Sequence, residues 1–393
     1  MKLVILNHRF PSQRDPSAQT FIRDHVDMMV RESSLDVRLV VPRVFSIPGS
    51  TRWMRDHSPL LTSVPVARPS YLSIPRMGLP AKNGEAFGTA ALQAVKRLGS
   101  PRDIRIHAHM LYPAGFGLHK LTKQGYSCVL SIHGSDWFHA SRYPSLTAQA
   151  IRAAQVVLTS SETLATEVSD WCDRYGIHQK KILPVFNAID TDLFKPAQSI
   201  LEAKKKIGWS SDDTHLLFVG RPHPVKGLDV LIEALAKWPP SSVPFPTVHL
   251  VGVDDGSRTS KDLLHKAYSM LPSEHYKKVH FEPPVPRQKL APYYQAADLY
   301  VLPSRSEGFN VSLLEAAACE CTIVATDVGG NRSIAGLDGN HCIEPENPEA
   351  LHKALLSAMQ STGQINNNTY ALIKEQYSFR AMATRLVSVY ESL

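Results

Sequence analysis

Leu302-Pro303-Ser304-Arg305-Ser306-Glu307-Gly308-Phe309-Asn310-Val311-Ser312-Leu313-Leu314-Glu315-Ala316 joins the end of one element to the start of another. Asp298–Leu302 is a short apolar run without the polar alternation of a half-exposed strand, so it predicts a strand buried on both faces. A polar loop with proline and glycine follows, and Asn310–Cys319 then predicts a helix. The same order occurs upstream, where the strand His215–Gly220 runs into Gly220-Arg221-Pro222-His223-Pro224-Val225-Lys226-Gly227 and a helix over Val225–Lys237.

Working outward, this strand–turn–helix rhythm covers the chain. Strands are expected at Lys2–Leu6, Val37–Val41, Ile104–Ala108, Ser127–His133 and Val156–Ser160, with helices at Ser17–Arg31, Gly84–Arg97 and Glu162–Tyr175 between them. The second half repeats the pattern, adding strands at Thr247–Val251, Lys278–Glu282 and Thr322–Thr326. Helices there are expected at Ser260–Leu271, Arg287–Ala297 and Pro348–Met359. Apolar strands alternating with amphipathic helices imply parallel sheets covered on both faces, an α/β class. Two series of this length predict two doubly wound, Rossmann-like domains, residues 1–196 and 197–378, with a loop near Phe194-Lys195-Pro196-Ala197. Residues 379–393 predict an amphipathic helix packing back towards the N-terminal domain, with Met382, Leu386, Val389 and Tyr390 on one side. Facing domains of this kind would open the carboxyl edges of both sheets into one ligand cleft.

The 393 residues exceed what one hydrophobic core usually supports. The formal charge of +7 is scattered, its densest run being Lys204-Lys205-Lys206, which argues against a nucleic-acid partner. Scattered positive charge suits a phosphorylated substrate or an anionic membrane surface. No window approaches the roughly 20 apolar residues of a membrane span, and the apolar start turns polar at Asn7-His8-Arg9, too early for a signal peptide. Cys128, Cys172, Cys319, Cys321 and Cys342 read as buried reduced thiols, and a cytoplasmic location follows, with peripheral contact at the inner face of the membrane as an option. Phe45 to Pro80 shows no clean period and reads as an insertion or loop at the ligand face.

Two turns carry the chemistry. Arg221 and Lys226 lie in a glycine turn before a helix, where a forked guanidinium and a mobile ammonium suit a diphosphate. In the second turn, the backbone N–H groups of Phe309, Asn310 and Val311 lack helical partners and suit an anion. Glu307 and Glu315 are carboxylates able to accept from both hydroxyls of a diol. Each turn alone also fits an ordinary solvated loop and helix start.

Together, and in this order, the two turns resemble the retaining, nucleotide-sugar-dependent glycosyltransferases of family 4 (glycosyl transferases group 1), which have the two-domain GT-B fold. The resemblance spans most of the chain. It runs through Phe10-Pro11, Ala18-Gln19-Thr20-Phe21, His107-Ala108-His109, Ser131-Ile132-His133-Gly134-Ser135-Asp136, Asn187-Ala188-Ile189-Asp190, the Arg221/Lys226 loop, Glu307 with Glu315, and Val328-Gly329-Gly330-Asn331.

That resemblance implies a donor site of Arg221, Lys226, Glu307, Gly308, Phe309, Asn310, Val311 and Glu315. In it, Arg221 and Lys226 neutralise the diphosphate, Glu307 binds sugar hydroxyls, Glu315 binds the ribose diol, and the base lies against main chain near Glu282 to Val285. His133 donates a hydrogen bond beside the reacting sugar, completing a catalytic set with Arg221, Lys226 and Glu307. Arg14, Gln19, His109 and Asp136 are acceptor-side candidates, with Ser17 a further loop residue. His107 and His109 share one side of a strand, but without a carboxylate partner a metal pair is not the favoured reading. The expected donor is a UDP- or GDP-sugar, with no cofactor and no metal. The expected acceptor is a glycan or lipid-linked hydroxyl in surface or exopolysaccharide synthesis, with Arg52–Arg76, including Trp53, Met54 and Tyr71, as a membrane-contacting candidate.

The chain departs from the family pattern at four places. Ala18-Gln19 stands where glycine is usual, Ala188 where Asn-Gly is usual, Glu320 and Thr322 where Gly and Pro are common, and Ser333 near a usually acidic position. The rival readings are a GT-B sugar-nucleotide epimerase and a non-catalytic nucleotide- or glycan-binding protein. A sugar phosphorylase is weaker, since no lysine is placed to anchor pyridoxal phosphate.

Overall fold

The computed structural model describes residues 1–15, 18–46, 58–73, 79–140, 142–178, 180–239, 243–360 and 369–393. It divides into two compact units, Met1–Ala188 with Phe379–Leu393, and Ile189–Ser378. The division thus falls before the expected 196/197. Asp190–Phe194 belongs with the second unit because the Ile189 N–H donates to Tyr377 O at 2.9 Å and the fully buried Phe194 ring meets Tyr294 edge-on at 5.8 Å.

The first unit contains β1 (Lys2–Leu6), β2 (Asp36–Val40), β3 (Arg43–Ser46), β4 (Val66–Ala67), β5 (Ser70–Ser73), β6 (Ile104–His109), β7 (Ser127–Ile132), β8 (Val156–Thr159) and β9 (Lys181–Pro184). Seven of these form a parallel sheet in the order β4-β2-β1-β6-β7-β8-β9, and β3 pairs with β5 separately. Strand alternation divides its core. Ile104, Ile106 and Ala108 face one apolar layer with Phe87, Leu130 and Ile151. Leu3, Ile5, Val129 and Leu158 face the other, which holds the helix Thr20–Glu32 and the terminal helix Phe379–Glu391 through Met382, Leu386 and Tyr390. The terminal helix is therefore an outer layer of the first sheet, 190 residues of second unit intervening (Ile189–Ser378).

The second unit contains β10 (His215–Val219), β11 (Thr247–Val251), β12 (Val279–Glu282), β13 (Leu299–Leu302), β14 (Thr322–Thr326) and β15 (His341–Ile343), all parallel, ordered β12-β11-β10-β13-β14-β15. This is the doubly wound order, whose direction reverses between β10 and β13. Both units are α/β and Rossmann-like, as expected. The short strands β3, β4, β5, β9 and β15 are not expected from the sequence, and β4 and β5 lie inside the Phe45 to Pro80 stretch expected to be an insertion or loop; none of them contains a four-residue apolar run.

Ser17, Arg52, Trp53, Met54 and Arg76 lie outside the described residues. Tyr71 does not fit the membrane-contact expectation. It is 7% exposed, its ring edge-on to Phe87 at 5.4 Å, because alternation along β5 turns it into the core. No helix among the described residues is long and apolar enough to cross a membrane.

Candidate active site

In the second unit, β10 and β13 are neighbours at the point where strand order reverses, so the loops leaving their carboxyl ends emerge side by side. Ligands of open α/β sheets bind at such points. These two loops are the two motifs singled out from the sequence. They approach so closely at Gly227 (φ 65°) that a Cβ there would lie 1.9 Å from Pro303 O, which only glycine avoids.

Glu307 is the hub between them. Its Oε1 accepts from Lys226 Nζ at 2.7 Å, Ser304 Oγ at 2.7 Å and Asn310 Nδ2 at 2.9 Å. The side chains of Lys226 and Glu307 are 24% and 12% exposed, so the pair is partly screened from water and stronger than a surface ion pair. Asn310 is the N-cap of the helix Val311–Ala318, its Oδ1 accepting from Ser312 N at 2.9 Å. Among the described residues, the N–H groups of Asn310 and Val311 have no carbonyl partner. Arg221 is exposed, and it is Lys226, not Arg221, that reaches Glu307.

Arg305 cross-braces the same loops. Its guanidinium forks onto Asp229, Nη1 at 2.9 Å and Nη2 at 2.8 Å, while Nε donates to Glu346 at 2.6 Å. Its backbone N–H donates to Val225 O at 2.7 Å. These carboxylates hold the Arg305 pKa above its ordinary value. On the far side, Gly329 (φ 54°) would place a Cβ 2.0 Å from Glu307 O, and the Gly330 N–H donates to Gly308 O at 3.1 Å. Val328-Gly329-Gly330-Asn331 is thus the backing against which Glu307–Phe309 rests.

Glu315 is placed differently from the open diol acceptor expected. It is 3% exposed, with Oε1 on Arg287 Nε at 2.7 Å and Oε2 on Tyr294 OH at 2.9 Å. The second helical turn faces the core here, so Glu315 anchors Arg287, whose guanidinium lies 5.5 Å from the Phe194 ring centroid. Burial, then the Glu315 charge, push the Tyr294 phenol well above its usual pKa. At the expected base position, Glu282 Oε1 lies 2.8 Å from His249 Nδ1, and Glu282 O accepts from the N–H groups of Gly252 and Asp254, each at 3.0 Å.

In the first unit, His133 follows β7 as the residue before the helix Gly134–Ala140. Asp136 is 7% exposed, and its carboxylate accepts from His133 N and Leu111 N, each at 2.7 Å. It reaches back over one turn like a capping box. It therefore shapes the His133 turn rather than meeting an acceptor. Burial pushes its carboxyl up to about 7 against these backbone donors, which pull it down. His109 is 3% exposed, which removes it from the acceptor candidates; the inward face of β6 carries it into the core. Gln19 holds the left-handed position (φ 48°) at the start of the helix Thr20–Glu32, taking Asn7 Nδ2 on Oε1 at 2.6 Å. Arg14 is exposed, its N–H on Ser58 Oγ at 3.3 Å. Near them Arg9, Arg43, Arg68, His8 and Asp15 line a cavity of net positive charge.

A family model described as Glycosyl transferases group 1 matches residues 199–375, and one described as Glycosyltransferase Family 4 matches residues 35–193. The chain belongs to the family 4 glycosyltransferases.

This glycosyltransferase is 28% identical over 372 residues to a Bacillus subtilis glycosyltransferase assigned by name to teichuronic acid biosynthesis, TuaC, covering 90% of this chain and 88% of that one. It is 34% identical over 198 residues to a D-inositol 3-phosphate glycosyltransferase of Geodermatophilus obscurus, covering 48% of this chain but 43% of that protein. Among solved structures, a sucrose-phosphate synthase from Thermosynechococcus elongatus matches with TM-score 0.76 at 19% identity, covering 100% of this chain and 99% of that one. Anabaena HepE, in complex with UDP, matches with TM-score 0.74 at 17% identity over 100% of both chains. These likenesses establish the GT-B fold.

Within the glycosyltransferase site, sequence reasoning assigned no role to Ser304, Arg305, Asp229, Arg287 or Tyr294. Asp229 and Arg305 are 76 positions apart, and nothing local in the sequence couples them.

Proposed function

We propose that this glycosyltransferase moves a hexose-type sugar from a nucleotide diphosphate sugar to a hydroxyl acceptor, with retention at the anomeric carbon and without a metal ion. The observation that carries the reading is the 2.7 Å contact between Lys226 Nζ and Glu307 Oε1, made where the second sheet reverses its strand order. It sets a cation, a carboxylate and a helix start side by side.

Breaking the anomeric C–O bond puts negative charge on the departing diphosphate. Lys226, Arg221 and the N–H groups of Asn310 and Val311 are the donors that stabilise it, preorganised in the sense that matters most for catalysis. Phe309 and Gly308 bring main chain to the phosphate. Glu307, held by three donors, accepts from sugar hydroxyls through its remaining lone pairs. Glu315, buried on Arg287 and Tyr294, does not meet the ribose diol itself but holds the Arg287 guanidinium in place. The acceptor oxygen bonds to the anomeric carbon on the face the phosphate leaves, and its proton passes to a phosphate oxygen. No protein nucleophile is required, unlike the paired carboxylates of glycosidases. His133 donates a hydrogen bond to the reacting sugar.

HepE was solved with UDP and with UDP-glucose, and the name of TuaC places it in teichuronic acid biosynthesis. The first supports a UDP-sugar donor, and the second supports a role in surface-polymer assembly. The Arg9, Arg43 and Arg68 cavity supports an acceptor that carries an anionic group.

The test is a thermal-shift panel of UDP, GDP and ADP, followed by transfer assays with the matching sugars. A nucleotide at 100 times its Kd should add about 2.7 kcal/mol of stability. The product anomer should match the donor, and EDTA should leave the rate unchanged. An inverted product or strict dependence on a divalent ion overturns the reading.

A further inference from the structure

Behind His133, the first unit contains an unbroken chain of side-chain hydrogen bonds. His133 Nε2 lies 3.3 Å from His109 Nδ1, and His109 Nε2 lies 3.0 Å from His25 Nδ1. His25 Nε2 lies 3.3 Å from Tyr390 OH, Tyr390 OH 2.7 Å from His107 Nδ1, and His107 Nε2 2.7 Å from Ser131 Oγ. Four structural elements contribute: β6, β7 with the turn after it, the helix Thr20–Glu32 and the terminal helix Phe379–Glu391. His25, His107, His109 and Tyr390 are buried, while His133 is the half-buried end.

The three buried imidazoles bring ring nitrogens within 4.8 Å of one another, close enough to suggest a metal site. Each of those nitrogens already faces a hydrogen-bond partner, so the cluster is complete as it stands. Burial, followed for three of the rings by neighbouring histidines, lowers all four pKa values: His25 to about 3, His133 to about 4, and His107 and His109 well below the usual value. At neutral pH each ring is then neutral, with one N–H and one bare nitrogen.

Proton counting leaves two arrangements that satisfy every contact. Either each histidine carries its proton on Nε2 and donates towards Ser131, or each carries it on Nδ1 and the donors run from Ser131 to His133. Any mixture puts two N–H groups, or two lone pairs, face to face, or leaves the Tyr390 O–H without an acceptor, which is costly in a buried site. Ser131 decides between the two. Among the described residues its hydroxyl has no acceptor other than His107 Nε2, so Ser131 is the donor.

We infer that Ser131, His107, Tyr390, His25 and His109 form a one-directional hydrogen-bond relay that locks His133 in its Nδ1–H tautomer, leaving that N–H as the group presented to a ligand. Tyr390 and the histidines behind His133 are positioning residues. A hydrogen-bond donor at His133 Nδ1 suits an acceptor oxygen, such as a sugar hydroxyl or ring oxygen, and rejects a group offering only N–H. The use made of that donor rests on the proposed transfer reaction; the tautomer itself does not.

The experiment is 15N NMR of histidine-labelled, full-length protein at neutral pH, with each ring assigned by single substitution. The expected result is four neutral rings, all Nδ1–H. Tyr390→Phe should break the relay, and His133, three hydrogen bonds from Tyr390, should then show both tautomers. Any Nε2–H ring or imidazolium among the four in the unsubstituted protein overturns the inference, as does stoichiometric perturbation of His25, His107 and His109 by added Zn2+. An unchanged His133 tautomer in folded Tyr390→Phe also overturns it. The unsubstituted measurement holds whether or not the variant folds. Failure of sugar transfer in the assays above leaves the NMR result intact, so the two readings fail separately.

Discussion

Lys226 and Glu307 stand 81 residues apart in the chain and 2.7 Å apart in space. Ser304 and Asn310 fix the Glu307 carboxylate from within its own loop, and Arg305 of that loop ties the Lys226 loop down through Val225 O and Asp229.

Removing the cation should therefore affect chemistry more than folding. Lys226→Ala should cost at least about 2 kcal/mol of transition-state stabilisation, roughly thirtyfold in kcat/KM. Glu307→Ala should abolish transfer. In a double-mutant cycle the two should couple by about 1 kcal/mol or more in stability, read from urea unfolding. Near-normal turnover of Glu307→Ala removes that residue from the site.

Arg305→Lys keeps the charge and loses the fork onto Asp229. Stability should fall by about 1–2 kcal/mol, since a bidentate pair is replaced by a point contact. Because the brace holds Lys226 rather than the substrate, the donor KM and kcat should both worsen. Unaltered kinetics would mean that the brace does not position the site.

Gly329→Ala and Gly256→Ala separate backbone strain from steric collision. Both glycines have positive φ, 54° and 73°, but only at Gly329 does an added Cβ meet an atom, Glu307 O at 2.0 Å; at Gly256 nothing lies within 4 Å. Gly256→Ala should cost about 1 kcal/mol and leave activity intact. Gly329→Ala should cost more and displace Glu307, so Tm and kcat should fall together. Equal effects in the two variants would refute the collision.

Acid should destabilise the first unit early. The folded-state pKa values of His25, His107, His109 and His133 are depressed, so their contribution is present above the unfolded value near 6.5 and lost as pH falls towards about 4 for His133 and about 3 for His25. Asp136, raised to about 7, has the opposite sign: its contribution is present below the unfolded value of 3.8 and lost as pH rises through about 7. Each histidine contributes a slope of at most about 1.4 kcal/mol per pH unit, less for half-buried His133. The histidines outnumber the aspartate, so the urea midpoint should drop steeply from pH 7 to pH 5. A flat profile over that range contradicts neutral buried rings.

By itself, the sequence determined the α/β class, the main strands and the two loops that meet at the strand reversal. Those features are local: apolar runs, glycine turns and helix starts sit within ten or fifteen residues of chain. It also carried the resemblance through Lys226, Glu307 and Glu315. Only the tertiary structure decided what these side chains touch. Glu315 turned out to face the core and Arg287, because helical phase sets which side of Val311–Ala318 is buried. Asp136 and His109 moved from the acceptor candidates to the interior. Arg305 gained its role from Asp229, 76 positions away, and Tyr390 met His107 across 283. Contacts at that separation depend on which strands and helices lie side by side, a property of the assembled sheet that no stretch of chain holds alone.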